Sequence, residues 1–238
     1  MKKKKFVTTH PAIIAVWAAL IAVASLLPAF PLIGGTGGTF SLGNAIIPLS
    51  GVLFGPWAGA IAAGVGGFLG QMLAPNTVVF GPLQFILSII SAMVAGFAMQ
   101  KKWIWPLLAM VVLTILFWLI PPGNTAPLLP LVYIPSYLGI LLGWFVFRNW
   151  ISSPNRAKLF VAVFCCMIAG TQVNQAGGNV WALLLFALPK EVWYAILPIA
   201  PVERIIFALA GTIIGTPLLV GLPKISIPVG PALEEEEE

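Results

Sequence analysis

Four amide side chains fall within eight residues of an otherwise apolar segment: Gln172, Asn174, Gln175 and Asn179, with Gly177 and Gly178 beside the last. An amide both donates and accepts hydrogen bonds. Burying one without a partner costs on the order of 1–3 kcal/mol. Four together therefore require a polar counterpart: water, other side chains or a ligand. The chemistry they offer is recognition of a neutral polar molecule, with Trp181 or Trp193 near enough in sequence to supply a ring for stacking. Two placements stay open. The stretch is either an exposed loop between two short helices or the outer half of one long helix whose amides line a pocket. Three further amides, Asn44, Gln71 and Gln84, also lie in apolar surroundings. The candidate substrate-binding residues are thus Asn174, Gln175, Asn179 and Trp193, with Asn44, Gln71 and Gln84; the last three carry the binding if the first stretch is a loop.

Other chemistries find little support. Cys165 and Cys166 are adjacent in an apolar run, and the single His10 has no neighbouring ligand, so no metal cluster is visible. There is no H-E-x-x-H, no carboxylate pair, no Ser/Lys or Ser/His arrangement and no G-x-x-x-x-G-K-[ST] phosphate loop. The expectation is a protein that is not an enzyme, has no cofactor, and takes any ATP-derived drive from partners.

The elements that must position these residues are membrane helices. The chain has 238 residues, of which 60% are hydrophobic and 8% charged, and its mean hydropathy is +1.03. Soluble domains carry about 25% charged residues. There is no aspartate, and no acidic residue precedes Glu191. The fold class expected is an all-α integral membrane protein, a polytopic bundle of about 6–8 transmembrane helices. Spans begin at residues 11, 44, 57, 80, 103, 128, 159 and 202, the first running over 11–32 as an uncleaved helix. With Lys2, Lys3, Lys4 and Lys5 inside, parity places Lys101, Lys102, Arg148, Arg156, Lys158 and Lys224 inside too, as the positive-inside rule requires. The net charge of +5 is therefore topological and carries no expectation of nucleic-acid binding. Residues 1–10 read as a basic cytoplasmic terminus, 11–222 as one transmembrane domain and 223–238 as a cytoplasmic tail. Ion-coupled transport generally uses charges inside spans; none is expected well inside one here, although Lys190, Glu191, Glu203 and Arg204 are placed to reach a pocket mouth.

The stretch from Asn44 to Gln71 has no charge and is broken by Gly55-Pro56 near its middle. Proline removes a donor and disfavours helix in the residue before it, so two short helices are expected. Gly51, Gly55, Gly59, Ala63 and Gly67 recur every four residues, forming one ridge of small residues where the chain is helical.

The segment SLGNAIIPLSGVLFGPWAGAIAAGVGGFLG resembles the second and third helices of the substrate-binding S components of energy-coupling factor (ECF) transporters, and PVERIIFALAGTIIGTPLLVGL resembles their final helix. The resemblance implies a subunit of a prokaryotic cell membrane that captures a vitamin-like nutrient from outside. It implies as partners a transmembrane T subunit and two ATPase subunits. It also implies that the 33–43 loop acts as a lid and that Ala15 and Ala19, on one face of the first helix, contact the T subunit; Ala18 and Ala22 offer a second register. S components of the best-known groups have six helices, fewer than the eight spans counted here. The rival readings are a structural subunit of a larger membrane complex and a secondary transporter.

Overall fold

The computed structural model describes residues 10–31, 38–121, 123–186 and 188–231. The basic run at residues 2–5, the centre of the expected lid at 33–37 and the acidic end of the tail lie outside the described residues. Eight α-helices are present among those described: α1 (Pro11–Ala24), α2 (Gly43–Leu73), α3 (Phe85–Met99), α4 (Ile104–Leu119), α5 (Ile134–Phe145), α6 (Arg156–Leu185), α7 (Lys190–Ile196) and α8 (Ala200–Gly221). The chain is an all-α bundle of apolar helices. Three stretches are long and apolar enough to cross a membrane by length and composition, Gly43–Leu73, Arg156–Leu185 and Ala200–Ile225; the other apolar helices are shorter.

The break at Gly55 is sharp. Gly55 has φ 82° and ψ 175°, a backbone region that glycine enters without steric cost. Pro56, which lacks an N–H and has a fixed φ, then opens the second arm of α2. The two arms fold back on each other. Ser50 Oγ donates to the carbonyl of Gly59 at 3.0 Å, and Ser25 lies against both Gly43 and Gly70 at the far end of the pair. The small residues do not form one ridge as expected, because the reversal sets Gly51 against Gly59. A Cβ at Gly59 would stand 2.6 Å from Gly51 Cα, so the arms touch backbone to backbone. Gly51 also abuts the Ala92 carbonyl of α3, and a Cβ at Gly96 would lie 2.5 Å from Pro56 N. Three helical segments thereby close without intervening side chains, as small residues permit.

The remaining helices alternate in direction around this unit. Gly170 and Gly177 of α6 pack against Ala95 and Leu87 of α3, Gly139 of α5 packs on Ile168 of α6, and Gly215 of α8 packs on Leu49 of α2. Lys101, Lys102, Arg148, Arg156 and Lys158 consequently fall at the same end as the Gly55 corner. Gly230 N–H donates to the Leu53 carbonyl at 2.6 Å, fastening the chain beyond α8 to that corner.

Several boundaries differ from expectation. The first span, expected over 11–32, is helical only to Ala24; Pro28 and Pro31 end it, and a two-stranded antiparallel hairpin follows, β1 (Pro28–Pro31) and β2 (Thr39–Ser41). The span expected from residue 80 starts at Phe85, because Gly81 at φ 77° and Pro82 precede it. The span expected from 128 begins as a 3-10 turn (Leu129–Tyr133) that Pro130 initiates. Between the spans expected from 159 and 202 lies a further short helix, α7.

The backbone contact at the α2 corner generates a stability prediction. Gly59→Val drives a side chain into Gly51 and should destabilise the fold by about 1–3 kcal/mol, read as a lower melting temperature in detergent. Gly221→Ala, where nothing lies within 4 Å, is the control and should melt no lower than the parent. Equal melting of the two variants would contradict the close approach.

Candidate ligand-binding site

The amide-rich segment is one continuous helix. α6 runs unbroken from Arg156 to Leu185, capped at its start by Asn155 Oδ1, which accepts from the N–H groups of Ala157 and Lys158. The loop alternative for 171–179 is therefore set aside. Gly177 and Gly178 do not break the helix. They let neighbours approach: a Cβ at Gly177 would meet Leu87 at 2.8 Å, and one at Gly178 would meet the Phe80 ring at 3.2 Å.

Helical spacing sorts the amides onto faces. Asn174, Gln175, Gly178, Asn179 and Ala182 line a cavity of about 410 Å³ at the end of the bundle away from the Gly55 corner. Gln172 points elsewhere; it is fully buried and donates to the Val132 carbonyl at 3.1 Å. Within the cavity wall, Gln175 Nε2 donates to Asn179 Oδ1 at 2.9 Å, and Asn179 Nδ2 donates to Tyr133 Oη at 2.9 Å. Tyr133 is fully buried, so this chain fixes how Asn179 and Gln175 face the cavity. Asn174 is half-buried and makes no side-chain hydrogen bond to another described residue.

Four aromatic rings also line the cavity. Phe40 comes from β2, Phe80 from the turn before α3, Phe186 from the end of α6 and Trp193 from α7. Trp193 is held edge-on to Phe117 with ring centres 5.4 Å apart, and Phe80 and Phe186 lie 6.4 Å apart. Trp193 Nε1 is buried with no hydrogen-bond partner among the described residues. Trp181, the other aromatic considered, does not line the cavity. Glu203 of α8 does, while Lys190 and Glu191 are exposed. Arg204 is buried at 1% exposure and lies 3.7 Å from Glu203. A charged pair thus lies buried in the first turn of α8, at the mouth end where these two residues were expected.

Asn44, Gln71 and Gln84 border a narrow cleft of about 70 Å³ that shares Phe40, Val79, Phe80 and Asn174 with the larger cavity. The Gln84 amide is fully engaged in folding the turn: Oε1 accepts from Val79 N–H at 2.7 Å and Phe80 N–H at 3.0 Å, and Nε2 donates to the Thr77 carbonyl at 2.8 Å. Gln71 Nε2 donates weakly to the carbonyls of Gly81 and Pro82, and its Oε1 has no partner among the described residues. Asn44 Nδ2 donates to the Ser41 carbonyl at 3.2 Å. These three shape the turn and the hairpin root that carry Phe80 and Phe40.

Sequence reasoning missed Phe40, Phe80 and Phe186. They stand alone in connecting segments, where no periodicity marks a buried face. Of the four charged residues expected within reach of a pocket mouth, Glu203 is the one that lines the cavity; its signal was an acid beside a base in the apolar run that becomes α8.

No metal-binding cluster of His, Cys, Asp or Glu is present among the described residues. Cys165 and Cys166 are buried free thiols inside α6, and His10 Nδ1 accepts from Ala12 N–H at the start of α1.

No curated protein and no solved structure matches the chain. Residues 5–122 match the family model described as ECF-type riboflavin transporter, S component. With apolar helices built for a bilayer, a helix pair folded at Gly55-Pro56 inside the matched half and this match, the chain belongs to the S components of energy-coupling factor transporters.

Proposed function

We propose that this protein is the substrate-capture subunit of an ECF-type importer in a prokaryotic cell membrane, crossing it several times and binding a neutral, ring-bearing, vitamin-like nutrient from outside. The observation that carries the reading is one cavity lined by the amides of Asn174, Gln175 and Asn179 together with the rings of Phe40, Phe80, Phe186 and Trp193. Its volume of about 410 Å³ falls in the range of roughly 300–1,000 Å³ typical of small-ligand sites. Rings combined with directional donors and acceptors suit a flat heteroaromatic with a polar edge.

Riboflavin, named in the description of the matching family, is such a molecule and is the first ligand to try. The match ends at residue 122, before the α6 amides and Trp193, so the identity of the ligand rests on the cavity's own chemistry. The hairpin that carries Phe40 is the base of the expected lid. Asn44, Gln71 and Gln84 act in this reading through the turn and hairpin they hold, while Asn174, Gln175, Asn179 and Trp193 touch the ligand.

The partners follow from the family: a T subunit and two ATPase subunits, since this chain carries no phosphate loop. On α1, Ala15 and Ala19 are exposed, whereas Ala18 and Ala22 are buried, with Ala18 close against Gly66 and Ala22 near Gly70 of α2. The first register is thus the one left for a partner helix.

Two outcomes test this reading. Purified protein titrated with riboflavin should quench flavin fluorescence, and Asn174→Ala should weaken binding by about 1–2 kcal/mol, the scale of a lost hydrogen bond, with an unchanged melting temperature. Asn179→Ala should weaken binding similarly and also lower stability, since Tyr133 loses its partner. If no small molecule is retained or bound, the structural-subunit reading takes its place. The second test is assembly. Ala15→Leu with Ala19→Leu places bulk on the exposed face and should abolish co-purification with the T subunit while leaving ligand binding intact. Unchanged co-purification would remove that face from the interface.

A further inference from the structure

Among the described residues lining the cavity, Glu203 is the one ionisable side chain. It sits in the first turn of α8, with its carboxylate Oε2 3.7 Å from Arg204 Nη2. An arginine stays protonated, and a buried cation needs a counter-charge; Glu203 supplies it. The guanidinium is also fixed sideways, its carbon 4.5 Å from the centre of the Phe40 ring and 5.1 Å from that of Phe207. Arg204 does not itself line the cavity. Of the pair, the acid therefore borders the ligand space, while the base stands behind it against two rings.

An ionised carboxylate only accepts hydrogen bonds. It complements a hydroxyl or N–H group and opposes an anion, and that opposition is stronger in a site shielded from water than in water itself. A pocket gains selectivity from such a repulsive element as much as from attractive ones. We propose that Glu203 sets the specificity of the cavity for the uncharged, hydroxyl-bearing form of its ligand and against phosphorylated or otherwise anionic forms. The inference rests on the reading that the cavity binds a small nutrient, and adds which form of it is accepted.

The test compares riboflavin with its monophosphate ester, titrated by flavin fluorescence against the purified full chain. The parent protein should prefer riboflavin by at least roughly tenfold, the scale of one lost charge-assisted hydrogen bond. Glu203→Gln should remove most of that preference, chiefly by tightening the ester. Because this change leaves Arg204 without its counter-charge, a second variant combining Glu203→Gln with Arg204→Met removes both charges together and should show the same loss of preference. Equal binding of the two flavins by the parent, or a preference unchanged in both variants, overturns the proposal. So does a parent that prefers the ester and loses that preference on Arg204→Met, which would make Arg204 an anion receptor. Absence of riboflavin binding by the parent overturns the flavin reading of the cavity and this inference with it. Failure of the preference with riboflavin still bound overturns this inference alone.

Discussion

The contact on which the bundle depends is the one between backbones at the α2 corner. Two helical arms that meet at Gly51 and Gly59 have no side chains between them, so dispersion acts over the shortest distance that helices allow. In a bilayer, where apolar side chains gain nothing by leaving lipid for protein, such packing is a principal source of association. Ser50 adds a hydrogen bond across the same seam, and Gly96 of α3 closes on Pro56. Everything that shapes the cavity is referred to this unit: α6 packs on α3 through Gly170 and Gly177, and α8 packs on the first arm of α2 through Gly211 and Gly215.

Polar side chains within this apolar frame are arranged by the cost of leaving them unpaired. Gln172 reaches the Val132 carbonyl, Ser91 Oγ the Gly170 carbonyl, and Asn179 the Tyr133 hydroxyl. Among the amides of α6, Asn174 is the one that lies where the two cavities join and has no such tie to a described residue. The same economy explains the tight turn before α3. Its backbone N–H groups at Val79 and Phe80 have no helix to join, and the Gln84 amide takes both. A ring is thereby fixed at the cavity wall by a residue that does not reach into it.

Much of the fold was legible because its causes are local. Gly55-Pro56 announces a reversal, charge runs mark the helix ends, and long apolar stretches mark the helices. The amides of α6 stood out for the same reason: polar groups in an apolar run need an explanation wherever they end up. What escaped the sequence depends on distant contacts. The β1–β2 hairpin has seven residues in its strands and little alternation to reveal it. Phe40, Phe80 and Phe186 come from three connecting segments and meet only because the helices carry those segments to one end. The small-residue ridge was read as a single stripe since periodicity assumes a straight helix, and the reversal at Gly55 turned that stripe on itself. The burial of Arg204 was likewise hidden, because its aromatic partner Phe40 is remote in sequence.

The hydrogen bond from Gly230 to Leu53 gives the bundle a mechanical character. It ties the far end of α8 to the corner of α2, while Gly211 and Gly215 hold the two helices together along their length. A shift of one element therefore bears directly on the other. The aromatic part of the cavity wall comes from outside the long helices, from the short segments bearing Phe40, Phe80, Phe186 and Trp193. It is coupled to α8 all the same, because Phe40 lies 4.5 Å from the Arg204 guanidinium and Phe30 lies edge-on to Phe207 at 5.3 Å: the hairpin rides on the helix behind it.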